Sequence, residues 1–324
     1  MKRIAVLTSG GDAPGMNAAI RAVLNQGMHH GLEVYGVYHG FQGLVEGDLR
    51  LLTVNDVHHQ IKLGGTLLHS ARYPEFKERK NQERAIEQLK KQKIDGLIVI
   101  GGDGSFQGAL SLTKLGFPAI GIPGTIDNDI PGTEYTIGFD SAVTVALDAI
   151  DKISDTAASH ERTFVIEVMG RHAGDIAIWA GVAAGADAII IPEESFDMEQ
   201  VAYTVRAGRR SGKDYSLIIL AEGAMAVDEF VAEFKEHVPE QSVRGVALSH
   251  IQRGGAPTAR DRVFATSMGA KAVDLLLEGQ AGVYLGINEE RVSIFDIVET
   301  LEKNEHKVRE DLYKLNLELT DRDL

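Results

Sequence analysis

The chain has 324 residues, a formal net charge of −14 and no cysteine. Without cysteine it forms no disulfides and offers no thiolate nucleophile or cysteine-ligated metal site. The negative charge disfavours general binding to nucleic acid or anionic membranes, and no apolar run is long enough to span a bilayer. The first residues do not have the pattern of a signal peptide. We therefore expect a cytoplasmic protein with no nucleic-acid or membrane partner.

Short apolar runs, each followed by a loop and a helical stretch, recur along the chain. Runs that are apolar throughout are typical of strands buried on both faces of a parallel sheet. In chain order they predict strands at residues 4–7, 96–100, 119–122, 164–168, 188–191, 216–220 and 243–248, with a further strand ending at 37–39. The helices predicted between them include residues 83–92, 141–154 and 262–277.

This alternation of strands and helices predicts an α/β fold with two doubly wound, mostly parallel-sheet (Rossmann-like) domains. We expect the chain to pass into the second domain near residues 137–139 and to return to the first near residues 252–257. Ligands of such sheets bind beyond the carboxyl ends of the strands, so we expect the functional residues in the loops that follow the strands.

Two glycine-rich loops follow predicted strands, at residues 8–17 and 101–105. Glycine lets backbone amides approach an anion closely, and the start of a following helix adds a favourable dipole. Either loop alone is equally well explained as an ordinary strand-to-helix turn. Both together, each with an aspartate, favour phosphate binding.

Two common nucleotide fingerprints are missing from the chain. It contains no Gly-x-x-x-x-Gly-Lys-Ser/Thr motif, so a P-loop is excluded. Gln107 stands where the dinucleotide fingerprint needs its third glycine, and no acidic residue follows the second predicted strand. Nicotinamide binding is therefore disfavoured.

Asp127 and Asp129 follow one predicted strand, and Asp103 comes from a neighbouring loop. Clustered carboxylates repel one another unless a cation or a proton relieves them, and carboxylates with phosphate oxygens suit Mg²⁺. A carboxylate left free of the metal can take the proton of an attacking hydroxyl. Taken alone, the Asp-Asn-Asp triplet is better explained as a loop-stabilising pair, so this interpretation depends on the neighbouring loops.

Several arginines stand near strand ends or in the adjoining loops. The guanidinium fork matches phosphate geometry, whereas a single surface arginine is usually only solvated. Several of them near a glycine-rich edge of an acidic protein indicate an anion site. They are Arg72, Arg162, Arg171, Arg244 and Arg253.

Five segments, in order along the chain, closely resemble motifs of the bacterial ATP-dependent 6-phosphofructokinase family. They are residues 9–17 (SGGDAPGMN), 101–105 (GGDGS), 123–129 (PGTIDND), 169–171 (MGR) and 250–255 (HIQRGG). The resemblance implies phosphoryl transfer from ATP to the 1-hydroxyl of fructose 6-phosphate. It implies that residues 1–138 plus about 256–304 bind ATP, that residues 139–255 plus about 305–324 bind fructose 6-phosphate, and that the active site lies in the cleft between these domains.

The resemblance also implies a role for individual residues. Asp127 would be the general base, and Thr125, Asp129 and Arg171 would complete the catalytic set. ATP would be held by Gly11, Arg72, Tyr73, Gly102, Asp103, Gly104 and Ser105, with Asp103 at the Mg²⁺ ion. Fructose 6-phosphate would be held by Thr125, Asp127, Arg162, Met169, Gly170, Arg171, Glu222, Arg244, His250 and Arg253. In the family Arg162 and Arg244 come from a neighbouring subunit, which implies a homotetramer with shared active sites.

Departures from the family pattern bear on the donor and on regulation. Relatives that use pyrophosphate place aspartate at the position of Gly104 and lysine at that of Gly124, so this chain resembles the ATP users. Of the family's basic effector site, Arg21 and Lys213 are present. Regulated members carry arginine at the positions of Asn25, Val54, Ser154 and Ser211, where this chain has none. We therefore expect weak or absent control by ADP or phosphoenolpyruvate.

Two alternatives stay open from the sequence. A pyrophosphate-dependent phosphofructotransferase would share nearly every motif but should not carry glycine at both donor positions. A non-catalytic sensor on the same fold would not need Asp127, Asp129 and Arg171 to be intact.

Overall fold

The computed structural model describes residues 1–303 and 305–321. Its strands are β1 Arg3–Thr8, β2 Glu33–Val37, β3 Leu49–Leu51, β4 Gly96–Gly101, β5 Ala119–Pro123, β6 Thr163–Val168, β7 Ala188–Ile190, β8 Ser216–Ala221, β9 Val243–Ala247, β10 Val283–Asn288 and β11 Arg291–Asp296. Its helices are α1 Met16–His29, α2 Gly40–Glu46, α3 Val54–Val57, α4 Arg79–Lys91, α5 Asp103–Lys114, α6 Phe139–Ser159, α7 Asp175–Ala184, α8 Met198–Arg210, α9 Val227–His237, α10 Ala259–Leu277, α11 Ile297–Lys303 and α12 Glu310–Thr320. Short 3₁₀ helices lie at Gln60–Lys62, Pro74–Lys77 and Ser249–Arg253.

The described residues divide into two compact units. The first comprises Met1–Ile126, Ile130–Ser141 and the described residues from 253 to 306. The second comprises Asp127–Asp129, Ala142–Gln252 and the described residues from 307 to 321. The ligands and boundaries predicted for the two domains stay predictions, and positions 304 and 322–324 of the predicted segments lie outside the described residues.

The first unit is built on a seven-stranded sheet in the order β11-β10-β5-β4-β1-β2-β3. Its five central strands are parallel, whereas the edge strands β3 and β11 pair antiparallel with their neighbours. Every residue of β4 is buried, which explains why its sequence is apolar throughout. A large core cluster at this sheet includes Phe41, Phe76, Phe106 and Tyr284.

The second unit is built on a four-stranded, wholly parallel sheet in the order β7-β8-β6-β9. All six residues of β8 are buried, and the core cluster here includes Val165, Ile218, Phe230 and Phe234. Strand β9 lies at an edge, so its residues are less buried than those of β8. Parallel pairing directs the carboxyl ends of all four strands to one edge of this sheet.

The predicted fold class, α/β with two mostly parallel sheets, is confirmed. The seven apolar runs correspond to β1 and β4–β9, with ends that differ by one residue at most. Strands β3, β10 and β11 were not predicted from the sequence. Strands β3 and β11 are partly exposed edge strands without a continuous apolar run. No helix in residues 1–303 or 305–321 is both long and apolar enough to cross a membrane.

Candidate active site

Three loops of the first unit are joined by hydrogen bonds beside the carboxyl ends of β1 and β4. The backbone amide of Ser9 donates to the carbonyl of Ile100 at 2.9 Å, and the Ser105 hydroxyl donates to the carbonyl of Ser9 at 3.3 Å. The Ser70 hydroxyl donates to the carbonyl of Gly10 at 2.6 Å. These bonds bring the predicted ATP residues of the three loops to one edge of the sheet.

The second of these loops opens directly into α5. Gly102 is the N-cap residue, and Asp103 is the first residue of the helix and is exposed. Its Oδ1 accepts a hydrogen bond from the amide of Gly104 at 2.5 Å. Exposed amides and the positive end of the helix dipole make such a start favourable for an anionic group.

The two glycines interpreted as markers of the phosphoryl donor have different structural causes. Beyond its chain neighbours and the backbone of its own helix, a Cβ on Gly104 would meet no atom of the described residues within 4 Å. Its φ is not positive either, so the fold itself does not require glycine there. A Cβ on Gly124 would lie 2.9 Å from the Met16 methyl and 3.0 Å from Ile100. Packing therefore explains Gly124, whereas Gly104 is left for a ligand to explain.

Aromatic packing supports the third loop, which carries Arg72 and Tyr73. Arg72 is exposed, and Tyr73 packs against the core cluster of the first unit. Phe41 and Phe76 stack with ring centroids 4.1 Å apart. A Cβ on Gly108 would lie 2.5 Å from the Phe41 ring, so glycine lets α5 approach this stack closely.

Arg253 lies against the first glycine-rich loop. Its guanidinium occupies the space into which a Cβ on Gly11 would project. Nη1 of Arg253 lies 3.6 Å from a carboxylate oxygen of Asp12, and its side chain is 15% exposed. The Nε atom of Arg253 is buried and has no hydrogen-bond partner among residues 1–303 and 305–321. A buried donor without a partner is costly, so this position suits an arginine that acquires an acceptor from a ligand.

A tight turn after β6 carries Met169, Gly170 and Arg171. Gly170 has φ of 141° and Arg171 has φ of 53°, which is unfavourable for a side chain with Cβ. The turn is held in place because the Arg171 amide donates to Oε1 of Glu222 at 2.9 Å. Gly223 allows this approach, since a Cβ there would overlap the Arg171 carbonyl. Strained backbone that is held by its surroundings is typical of functional sites.

Asp127 is the most buried of the predicted catalytic residues, with 1% of its side chain exposed. Its Oδ2 lies 3.3 Å from Nε of Arg171, which is 44% exposed. A buried carboxylate needs a positive or hydrogen-bonding partner, and the guanidinium supplies one from the solvent side. Asn128 follows with φ of 55°. Asp129, the last residue of this segment, is half-buried. Thr125 belongs to the first unit and is also half-buried, and its carbonyl accepts a hydrogen bond from the Thr136 hydroxyl.

Of the residues predicted to bind the sugar phosphate, Thr125 and Arg253 belong to the first unit. Five of those in the second unit fall into two groups. Met169, Glu222 and His250 follow the carboxyl ends of β6, β8 and β9. Arg162 directly precedes β6, and Arg244 is the second residue of β9, paired with Phe164. These two arginines therefore lie at the amino edge of the sheet. A strand of six residues spans roughly 20 Å, so the two groups do not meet in one chain.

The predicted metal residue, Asp103, is an exposed single carboxylate. Among residues 1–303 and 305–321 no group of three or more His, Asp or Glu side chains is arranged to hold a metal ion. Asp103 belongs to the first unit and Asp127 and Asp129 to the second, so a shared metal role for these carboxylates stays a prediction. The donor set that is present fits Mg²⁺ bound largely by phosphate oxygens, because this ion keeps its waters and takes one or two carboxylates.

The two basic residues predicted to remain from an effector site lie in different units. Arg21 is half-buried in α1. Lys213 donates to Oδ1 of buried Asp187 at 2.5 Å. The hydroxyls of Ser154 and Ser211, two positions predicted to have lost an effector-site arginine, each donate to a carbonyl of their own helix.

Three residues with well-defined contacts at these loops were not singled out from the sequence. They are Asp12, Asn128 and Asp175. A signal for Asp175 was present, because a single carboxylate begins a helix whose next three residues are apolar and buried. For Asp12 and Asn128 the sequence offered only their membership of a motif.

Comparisons with known proteins identify the relatives of this chain. A family model described as Phosphofructokinase matches residues 3–276. A curated Enterococcus faecalis protein named ATP-dependent 6-phosphofructokinase is 58% identical over 320 residues, which cover 99% of this chain and 100% of the relative. A Streptococcus sanguinis protein of the same name is 56% identical over 331 residues, which cover 98% of this chain and 98% of the relative. The solved phosphofructokinase of Saccharomyces cerevisiae matches with a TM-score of 0.87 and 38% identity over 93% of this chain, which spans 45% of the yeast chain.

Proposed function

The chain belongs to the phosphofructokinase family, and we propose that it transfers the terminal phosphoryl group of ATP to the 1-hydroxyl of fructose 6-phosphate. The products are fructose 1,6-bisphosphate and ADP. The observation that carries the proposal is the buried carboxylate of Asp127 held 3.3 Å from the Arg171 guanidinium. This pair unites a proton acceptor with a cation, as phosphoryl transfer to a hydroxyl requires.

Asp127 acts as the general base. As the 1-hydroxyl oxygen attacks the phosphorus, the carboxylate accepts the hydroxyl proton, and the bond from phosphorus to the leaving ADP oxygen breaks. Arg171 stabilises the negative charge on the transferring phosphoryl group, because a fixed guanidinium needs no reorganisation during the reaction. Thr125 and Asp129 flank the base and complete the proposed catalytic set.

The hydrogen-bonded loops of the first unit bind the donor. Gly11 and the start of α5, from Gly102 to Ser105, offer backbone amides and a helix dipole to the phosphates. Arg72 and Tyr73 border the nucleotide. A Mg²⁺ ion held by Asp103 and by phosphate oxygens would neutralise charge on the donor.

ATP is favoured over pyrophosphate as the donor for two reasons. The Enterococcus and Streptococcus relatives are named ATP-dependent. Gly104 leaves open space that the fold does not need, which suits close approach by the nucleotide. Gly124 favours neither donor, because its packing against Met16 and Ile100 accounts for the glycine.

The proposal includes a homotetramer whose active sites are shared between subunits. Its support is the separation of Arg162 and Arg244 from Arg171, Glu222 and His250 along the strands of one sheet. Arg162 and Arg244 then bind the 6-phosphate in a neighbouring subunit, together with that subunit's own His250 and Arg253.

Control by ADP or phosphoenolpyruvate is proposed to be weak or absent. Of the two predicted basic residues, Arg21 and Lys213, the second is already paired with Asp187. Neutral residues stand at the positions of Asn25, Val54, Ser154 and Ser211. Cytoplasmic location and the lack of nucleic-acid and membrane partners stay predictions.

The test is turnover of fructose 6-phosphate by the purified protein with Mg²⁺–ATP and with Mg²⁺–pyrophosphate. Asp127→Ser serves as the matched inactive variant. Loss of a general base typically costs about 10²–10⁴-fold in kcat. A non-catalytic sensor would show no turnover with either donor, and its ligand binding would not change with Asp127→Ser.

A further inference from the structure

The segment that carries Asp127 is joined by two contacts to the turn and helix start that follow β6. The first is the contact of 3.3 Å between Asp127 and Arg171. In the second, the side-chain amide of Asn128 donates to Oδ1 of Asp175 at 3.1 Å. All four residues belong to the second unit. Asp175 has no part in the chemistry proposed above, so its role needs a separate explanation.

The carboxylate of Asp175 is held in a buried position. It is 2% exposed and begins α7, where Ile176, Ala177 and Ile178 are also buried. A buried carboxylate is costly unless its charge is stabilised and its oxygens accept hydrogen bonds. The start of the helix supplies a favourable dipole, and Asn128 supplies a donor. Asp175 is therefore a fixed acceptor on a regular element.

Asn128 needs such an acceptor because of its backbone. Its φ of 55° is in the left-handed region, which glycine adopts readily, asparagine and aspartate less readily, and other residues rarely. An unfavourable conformation persists when surrounding contacts determine it, and the bond to Asp175 is one of these. Since Asn128 is covalently joined to Asp127, the direction of its peptide affects where the Asp127 carboxylate lies.

The same turn is also anchored on its other side. The amide of Gly174 donates to Oε1 of Glu193 at 2.8 Å, and the amide of Arg171 donates to Glu222. Asp175 therefore lies next to a turn that is fixed to two other loops. If the contact between Asp175 and Asn128 shifts, the Asp127 carboxylate therefore moves, whereas the turn stays in place.

We propose that Asp175 is a positioning residue that acts through Asn128 to hold the Asp127 carboxylate against Arg171. The inference rests on the proposed role of Asp127 as the base. It predicts that losing the Asn128–Asp175 bond lowers kcat while leaving substrate affinity nearly unchanged, because neither side chain contacts a substrate in the mechanism. Small misplacements of reacting groups are costly in rate.

The experiment compares four variants with the wild-type enzyme at saturating Mg²⁺–ATP and fructose 6-phosphate. Asp175→Ala removes the acceptor, and Asn128→Gly removes the donor while still allowing positive φ. Each should lower kcat by about 10- to 100-fold and change either KM by less than about threefold. The double variant should be no slower than the slower single variant, because both remove the same bond. Asp175→Asn keeps an acceptor oxygen and should recover most of kcat.

Asp197→Asn is the control, since Asp197 is likewise a carboxylate at a helix start of the second unit, that of α8, where it accepts a backbone hydrogen bond. It should leave kcat unchanged. The inference is overturned if Asp175→Ala keeps wild-type kcat, if the losses of the two single variants multiply, or if KM changes instead of kcat. If Asp175→Ala does not fold, Asn128→Gly and Asp175→Asn decide the question by the same criteria. An inactive wild-type enzyme would instead refute the proposed function.

Discussion

Lys213 donates a hydrogen bond to Asp187, with 2.5 Å between Nζ and Oδ1. Asp187 is 2% exposed, and its other oxygen accepts from the amide of Leu217 at 3.0 Å. The carboxylate is therefore fixed from two sides, and it neutralises the lysine that was predicted to remain from an effector site. An incoming phosphate would have to compete with this buried partner for Lys213.

We therefore predict that the enzyme responds little to effectors. Its dependence on fructose 6-phosphate should be nearly hyperbolic and should not move when phosphoenolpyruvate is added at low millimolar concentration. Each missing arginine removes a charge-assisted contact of about 1.5–3 kcal/mol where it is buried. Initial rates across a range of fructose 6-phosphate concentrations, with and without phosphoenolpyruvate, measure this directly. Strong sigmoidal inhibition would contradict it.

The separation of Arg244 from the carboxyl edge of its sheet predicts complementation between subunits. Asp127→Ser and Arg244→Ala should each have low activity when expressed alone. In mixed tetramers some sites combine an intact Asp127 from one chain with an intact Arg244 from another. Random mixing should restore about a quarter of the wild-type sites. Co-expressed, doubly tagged enzyme assayed at subsaturating fructose 6-phosphate tests this, and activity equal to the sum of the two parents would refute shared sites.

Gly104 offers a separate test of the donor site. Because a Cβ there meets no atom within 4 Å in the part of the chain that the structure describes, apart from its own helix backbone and chain neighbours, Gly104→Ala should leave the thermal unfolding midpoint unchanged or slightly raised. If the donor approaches this position, the same variant should raise the KM for ATP by about tenfold or more. Gly108→Ala on the same helix is the contrast, because its Cβ would lie 2.5 Å from the Phe41 ring and should lower stability by about 1–3 kcal/mol. An unchanged KM for ATP in Gly104→Ala would remove this argument for the donor.

Asp261 predicts a pH dependence of stability in the first unit. Burial raises the pKa of Asp261 to about 6 from an ordinary 3.8, although hydrogen bonds from Ser141 and Gly138 oppose this. Between these pH values the folded state holds more protons than the unfolded state, so this group makes the free energy of unfolding fall as pH rises from about 4 to 6. At about 1.4 kcal/mol per unit, the loss is roughly 3 kcal/mol.

Asp261→Asn removes this titration while keeping the shape of the side chain. Urea unfolding of the wild type and the variant at several pH values from 4.5 to 7 measures the difference between them. The wild type should lose stability relative to the variant as pH rises through this range. A difference that stays constant with pH would show that the carboxylate of Asp261 does not titrate there.

Much of the fold could be predicted because strands that are buried on both faces have apolar sequences throughout. The apolar runs of β4 and β8 predict central parallel strands, and both are buried along their whole length. Strand β11 could not be found in this way, because an edge strand that pairs antiparallel over a partly exposed face has no continuous apolar run. Strand β3, with three residues, is too short for any periodicity.

The site was predicted less completely, because its geometry depends on contacts between distant residues. The motifs pointed to Asp127 and Arg171 as catalytic residues. They did not indicate the positive φ of Arg171, nor the hydrogen bond from Asn128 to Asp175, 47 positions away. The position of the Arg253 guanidinium over Gly11 likewise depends on residues far apart in the chain. The cause of the glycine at position 124 could not be found from the sequence, because it is the close packing of Met16 and Ile100 in the folded chain.

The most direct measurement is fructose 6-phosphate-dependent phosphorylation by the purified wild-type enzyme, with Mg²⁺–ATP and Mg²⁺–pyrophosphate compared as donors and Asp127→Ser assayed beside it. We predict turnover with ATP, little or none with pyrophosphate, and a loss of about 10²–10⁴-fold in kcat for Asp127→Ser with fructose 6-phosphate binding retained. Turnover with pyrophosphate alone would contradict the assignment of the donor. Turnover with neither donor, or an Asp127→Ser variant as fast as the wild type, would contradict the proposed reaction itself.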